Sequence, residues 1–225
     1  MTLPLEVMDL EVRRPGGRVL LSVPRLTIAP GSLIGIKGPT GAGKSTLLFA
    51  LAGLLETCSG RVAWGDTDLL AIGAERRARF RAAHIGIVFQ DFLLFEELDA
   101  LGNAALTQMF RPRGERAALR HGAKSRLTDL GLQELDRSVS SFSGGERQRV
   151  SVARAMAGDA GVILADEPTA SLDRAAADRL IDDLAALARN KGKTLIAVSH
   201  DANLHARMDR VLAVQDGRIL DEAAT

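Results

Sequence analysis

Nine consecutive residues, Gly38-Pro39-Thr40-Gly41-Ala42-Gly43-Lys44-Ser45-Thr46, combine glycines, a lysine and a hydroxyl in the order a polyphosphate site needs. They satisfy G-x-x-x-x-G-K-[ST] at every fixed position. The glycines let the backbone turn successive N–H groups inward, and the helix that follows adds its partial positive end to that anion nest. Lys44 would reach the β- and γ-phosphates, and Ser45 offers an oxygen to Mg²⁺, a hard cation that keeps much of its shell as water and phosphate oxygen. The apolar runs Leu33-Ile34-Gly35-Ile36 before and Leu47 to Ala52 after give the required strand, loop and helix. The chemistry implied is binding of a nucleoside triphosphate.

Four further places carry polar groups at positions where structure alone does not demand them. Val162-Ile163-Leu164-Ala165 reads as a buried strand that delivers Asp166 and Glu167 at its end. Neighbouring strand residues face opposite ways, so one carboxylate can hold Mg²⁺ while the other addresses an attacking water. Thr194 to Val198 repeats the buried pattern and ends at Ser199-His200, and His84 to Phe89 ends at Gln90, an amide able to ligate a metal or position a water. Ligands of open α/β sheets bind at this C-terminal strand edge. Ser143-Gly144-Gly145-Glu146 opens a helix with the spacing of a capping box, and its glycines bare N–H groups at a positive helix end. That run fits a well-capped helix equally well, and as a second phosphate site it needs another chain to make sense.

The elements that must position these groups are legible in outline. Between residues 3 and 30 apolar and polar residues alternate, broken by Pro15-Gly16-Gly17 and Pro30-Gly31, which predicts antiparallel strands; Arg61 to Trp64 adds another. The Arg76, Arg77, Arg79 and Arg81 run predicts a solvated helix face. From about 91 to 157 the pattern is helical, a lobe inserted into a core made of 1–90 and 158–225. Asp173 leads into a helix with an apolar stripe at Leu180, Ile181, Leu184, Leu187 and Ala188. Asp216-Gly217 predicts a closing hairpin.

Composition bounds the rest. At 225 residues the chain is sized for one α/β domain, and 29 Lys and Arg against 28 Asp and Glu argue against a dedicated nucleic-acid binder. One cysteine, Cys58, excludes an internal disulfide and predicts a cytosolic protein. No secretory signal is expected at Met1-Thr2-Leu3-Pro4, and no apolar run approaches the roughly 18 residues of a membrane span.

Taken together, the phosphate loop, Gln90, Ser143-Gly144-Gly145-Glu146, Asp166-Glu167, Asp173 and His200 resemble the ATP-binding cassette (ABC) family, in that family's order and across essentially the whole chain. The resemblance implies a P-loop NTPase fold: a RecA-like α/β core, an antiparallel β subdomain and an inserted α-helical subdomain. It also implies a head-to-tail pair of two copies, each ATP lying between the phosphate loop of one and the Ser-Gly-Gly helix of the other. Ser143 and Gly145 would then contact the γ-phosphate, with Asp173 at the interface. Ser45 and Asp166 would hold Mg²⁺, Gln90 would sense metal or water, Glu167 would act as general base and His200 would touch the γ-phosphate. Within the family, Ile85 to Leu94 and Leu164 to Thr169 look most like the lipoprotein-release, macrolide-export and cell-division group, which implies a cassette that drives a separate transmembrane permease from the inner face of the cell membrane.

Some positions depart from the family pattern. Glu146 stands where Gln is usual and Phe142 where Leu is usual; relatives of that group often carry Pro and Glu-Asn where this chain has Glu96 and Gly102-Asn103. No aromatic lies near Arg13, Arg14 and Pro15 to stack on adenine, a place an arginine could take. The resemblance also admits a soluble cassette ATPase, such as an iron-sulfur assembly factor. A P-loop kinase or GTPase leaves Ser143-Gly144-Gly145 and His200 unexplained.

Overall fold

The computed structural model describes residues 2–158 and 160–220. Its first two strands, β1 (Leu5–Arg13) and β2 (Val19–Ile28), form an antiparallel hairpin in which Leu5 faces Ile28 and Val7 faces Leu26. The register shift after Met8 in the pairing of β1 with β4 (Cys58–Trp64) coincides with Asp9 at φ 48°, a bulge that sequence alternation alone does not reveal. The two-residue β5 (Thr67–Asp68) extends this edge.

The remaining strands belong to the same sheet. β3 (Leu33–Lys37) precedes α1 (Lys44–Leu51), α2 (Ala74–His84) runs into β6 (Ile85–Val88), and β7 (Val162–Asp166), β8 (Thr194–Val198), β9 (Arg210–Gln215) and β10 (Arg218–Leu220) complete it. The strand order is β5-β4-β1-β2-β10-β9-β3-β8-β7-β6. The antiparallel layer expected beside the loop is therefore continuous with the parallel core, joined through the β9–β10 hairpin. Its two-residue turn, Asp216 and Gly217 at φ 48° and 73°, has the paired positive φ values of a type I′ turn.

Helices fill both faces and the insertion. The region 91–157 contains α3 (Ala100–Ala104), α4 (Arg113–Asp129) and α5 (Gly144–Met156), with 3₁₀ turns at Leu106–Phe110 and Val139–Ser141. Leu101, Leu119, Leu127, Phe142 and Val150 make a separate apolar centre there. Asn103 is fully buried at its heart: its side chain accepts from Phe95 N and donates toward the Phe95, Leu98 and Asp99 carbonyls, so the unusual Gly102-Asn103 pair serves a turn. α6 (Arg174–Asn190) lays Leu180, Ile181 and Leu184 on the sheet as its stripe predicts, and the short α7 (Ala202–His205) follows β8. α1 packs against the β1–β2–β4 side, where buried Trp64 donates to Leu51 O at 2.9 Å. As expected, no residue of α2 is fully buried.

Candidate nucleotide site

β6, β7, β8 and β3 are successive neighbours and mutually parallel, with Val88 beside Ala165, Asp166 beside Val198, and Val198 beside Ile36. Whatever follows each strand therefore converges on one edge. Gln90, Asp166-Glu167, Ser199-His200 and the phosphate loop are those continuations. They surround a cleft of about 540 Å³ lined by Thr40, Gly41, Lys44, Ser45, Gln90, Glu167, Thr169, Ala170, Ser199, His200 and Asp201.

The loop's shape depends on close backbone approach. Gly38 has φ 153°, and a Cβ there would stand 2.1 Å from the Val214 carbonyl oxygen in β9. Ala42 N donates to Pro39 O at 3.2 Å, and Ala42 O accepts from Gly217 N at 3.0 Å, so the last hairpin braces the loop. Gly43, left-handed at φ 102°, caps α1 without a side chain, and no acidic residue occupies that helix's first turn. No acidic side chain of that turn competes with a phosphate for the first N–H groups, and Thr46 continues the same turn.

Lys44 lies along the loop, its Nζ donating to Gly38 O at 2.9 Å and Pro39 O at 3.1 Å, with His200 Nε2 3.1 Å away. His200 Nε2 is also 3.4 Å from Glu167 Oε1. Ser45 Oγ donates to Asp166 Oδ1 at 2.9 Å. Asp166 is buried, and burial pushes its carboxyl above the usual range against the opposing pull of the Ser45 hydrogen bond and the Lys44 charge. A buried carboxylate beside a hydroxyl is a set of hard oxygen donors that fits Mg²⁺. Among the described residues no group of three or more His, Cys, Asp or Glu side chains gathers to hold a metal. An ion here would complete its shell from phosphate and water.

Glu167 differs from expectation in how it is aimed. β7 ends at Asp166, and Glu167 sits at φ 46°, its N–H donating to Val198 O at 3.0 Å. The divergence of the two carboxylates comes from this left-handed residue, not from strand alternation.

Ser143, Gly144, Gly145, Glu146 and Asp173 are absent from the cleft lining and form a second cluster. Ser143 caps α5 with both capping-box bonds present, Glu146 N to Ser143 Oγ at 3.3 Å and Ser143 N to Glu146 Oε2 at 2.8 Å. Ser143 Oγ also meets Glu146 Oε2 at 2.9 Å. The Ser143 N–H holds the Glu146 carboxyl below its ordinary range, aided by its hydroxyl, Arg137 and Arg149. A Cβ on Gly144 would reach the Ser171 carbonyl oxygen at 3.5 Å, so this turn packs on Ser171-Leu172, next to Asp173. Asp173 itself caps α6 by accepting from Ala176 N at 2.9 Å. Arg13, at the place lacking an aromatic, is tied to Glu11 and the Gly17 carbonyl with its side chain half exposed.

Sequence reasoning gave no role to Thr169, Ala170 or Asp201, and read Ser199 only as part of the strand end that carries His200. Asp201 had a signal: three residues before Leu204, it is placed to cap a helix, and it pairs with Arg174 at 2.9 Å.

Fold and site together define a phosphate-loop nucleoside triphosphatase. A family model described as ABC transporter matches residues 21–170. The ABC transporter ATP-binding protein YbbA of Escherichia coli (strain K12) is 45% identical over 206 residues, 91% of this chain and 90% of its own. The lipoprotein-releasing system ATP-binding protein LolD of Novosphingobium aromaticivorans is 40% identical, covering 85% and 86%. The macrolide export ATP-binding/permease protein MacB of Rhodopseudomonas palustris is 39% identical over 89% of this chain and 30% of its own length. The solved dimer of the ATP-binding cassette MJ0796, bound to ADP and Pi after hydrolysis, superposes with a TM-score of 0.89 at 30% identity over 98% of each chain. This chain belongs to the ABC transporter family, as one of its ATP-binding, ATP-hydrolysing cassettes. The transporter reading is favoured over that of a soluble assembly factor, and the similarity to the lipoprotein-release and macrolide-export group is borne out.

Proposed function

We propose that the protein is the ATPase subunit of a transport complex in which two copies close head to tail on ATP and so drive a separate transmembrane permease. The observation that carries this reading is the division of the site. Lys44, Ser45, Gln90, Glu167 and His200 line one cleft, with Asp166 bonded behind Ser45, whereas the N-terminus of α5 with Ser143 and Gly145 lies outside it. A second copy, turned end for end, would bring that helix terminus onto the γ-phosphate, with Gly144, Glu146 and Asp173 at the seam.

The roles follow from the chemistry of each group. The loop from Gly38 to Thr46 wraps the phosphates with N–H groups, and Lys44 exchanges its two carbonyl partners for phosphate oxygens. Ser45 and Asp166 would hold Mg²⁺ with Gln90 nearby, and the ion would supply positive charge against the phosphates. Glu167 accepts the proton of the attacking water, a contribution of about 10²- to 10⁴-fold in rate. His200, between Lys44 and Glu167, contacts the γ-phosphate.

Residues 91–157 form the helical subdomain that meets the permease, the remainder being the core and β subdomain. Phe89 lines an apolar groove of about 460 Å³ together with Leu54, Leu93, Phe95 and Leu106, while its neighbour Gln90 lines the nucleotide cleft. A cytoplasmic segment of the permease seated in that groove would be one residue from the site. No described helix is long and apolar enough to cross a membrane, so the membrane is reached through that partner, from the cytoplasmic face.

The test is size-exclusion chromatography of Glu167→Gln with Mg-ATP beside wild-type ATPase assays with and without native membranes. The expected result is an ATP-dependent dimer and a wild-type rate that rises with membranes. A variant that binds ATP yet stays monomeric in the presence of its membrane partner would overturn the reading.

A further inference from the structure

His205 ends α7 and turns back on the segment that carries His200. Its Nε2 lies 2.9 Å from the carbonyl oxygen of Ser199. A carbonyl can only accept, so Nε2 bears the hydrogen and Nδ1 is left with a lone pair. Nδ1 is buried and has no hydrogen-bond partner. What faces it is bare backbone: a Cβ on Gly35, in β3, would stand 2.6 Å from Nδ1 and 3.3 Å from Met208 Cγ. The imidazole fits because position 35 has no side chain.

The carbonyl that His205 grips belongs to the peptide unit joining Ser199 to His200. A planar peptide bond makes that grip a constraint on the His200 N–H and, through it, on where the His200 side chain starts. The rest of the segment is held by Ser199 N to Ile36 O at 3.2 Å and Asp201 N to Ser199 Oγ at 3.0 Å. Burial keeps the His205 ring below the ordinary histidine range, and Lys37 on β3 acts in the same direction; the Ser199 hydrogen bond, Asp201 and Glu167 oppose it. The ring that donates is therefore the neutral one.

We propose that His205 is a positioning residue for ATP hydrolysis: by clamping the Ser199 carbonyl from the recess that Gly35 leaves open, it holds His200 between Lys44 and Glu167. The proposal rests on the reading above that His200 acts on the γ-phosphate. His205 touches neither nucleotide nor reacting atoms.

The experiment is a cycle of His205→Leu, His205→Gln and His200→Ala, alone and combined, read by single-turnover hydrolysis, ATP binding and melting temperature. His205→Leu keeps bulk and loses the donor; the hydrolysis rate is expected to fall about 10-fold while ATP affinity stays within about 2-fold. His205→Gln, whose amide can donate to the same carbonyl, recovers most of the rate. In the His200→Ala background His205→Leu costs nothing further. Gly35→Ala displaces the ring and reproduces the loss, and Gly35→Ala with His205→Ala regains melting temperature without regaining rate. A wild-type rate for His205→Leu, or an undiminished loss when His200 is already absent, overturns the proposal. A wild-type rate for His200→Ala instead removes the role of His200 itself, and the clamp's role falls with it.

Discussion

Ser45 Oγ donates to Asp166 Oδ1 at 2.9 Å although 121 positions separate them in sequence. The pair joins the first turn of α1 to the end of β7 before any nucleotide arrives. Asp166 is only 3% exposed, and its raised carboxyl pKa reflects the cost of keeping that charge buried. The folded state then holds this proton more readily than the unfolded chain, so stability falls as pH rises from the ordinary carboxylate range through the raised value. Asp166→Asn retains an acceptor for Ser45 and removes the charge. Calorimetry of the nucleotide-free protein should show a melting temperature higher by about 2–4 °C, the change that ~1 kcal/mol produces in a domain of this size. The gain should narrow as pH falls toward the ordinary carboxylate range, and Mg-ATP turnover should be lost.

Glu167 has a backbone that only glycine adopts without strain, at φ 46°. Glu167→Gly and Glu167→Ala both delete the carboxylate and should slow turnover equally. They should differ in stability: the left-handed region costs an L residue about 1–2 kcal/mol, so urea denaturation should find the glycine variant more stable by about 1 kcal/mol. Equal midpoints would mean that the backbone relaxes at this position.

Ser143 separates binding from pairing. Ser143→Ala removes the α5 cap, at a cost of about 1 kcal/mol. Because Ser143 does not line the cleft, ATP affinity of the single chain should be unchanged. The ATP-dependent dimer of Glu167→Gln should disappear when Ser143→Ala is added, as analytical ultracentrifugation can show.

The 3₁₀ turn that gives Leu106 and Thr107 to the apolar groove also carries Met109 and Phe110, 65% and 77% exposed. Phe110→Asp should leave basal ATPase intact and abolish its stimulation by membranes. A variant still stimulated would move the permease contact elsewhere.

Much of this was legible in sequence because local chemistry forces it. Gly38 to Thr46 between two apolar runs dictates strand, loop and helix, and Ser143 with Glu146 dictates a capped helix start, which both bonds confirm. Buried parallel strands announce themselves as short apolar runs, so the strand ends bearing Gln90, Asp166 and His200 were found without their order in the sheet. That order depends on pairing between segments from tens to more than a hundred residues apart and has no local signal. The aim of Glu167 was misattributed for a related reason: nothing in Asp166-Glu167-Pro168 reveals a left-handed residue. His205 and Gly35 each look unremarkable in their own windows, and their size match exists only in three dimensions.

The brace between the phosphate loop and the final hairpin bears on how the protein is made. Gly38 fits beneath the Val214 carbonyl, and Ala42 O is held by Gly217 N. A ribosome must therefore release the chain through residue 217 before the loop acquires its supported shape, however early the glycines emerge. Nascent cassettes lacking the hairpin would be poor traps for ATP. Two growing chains on one message would be spared from clasping each other before each has its own hairpin.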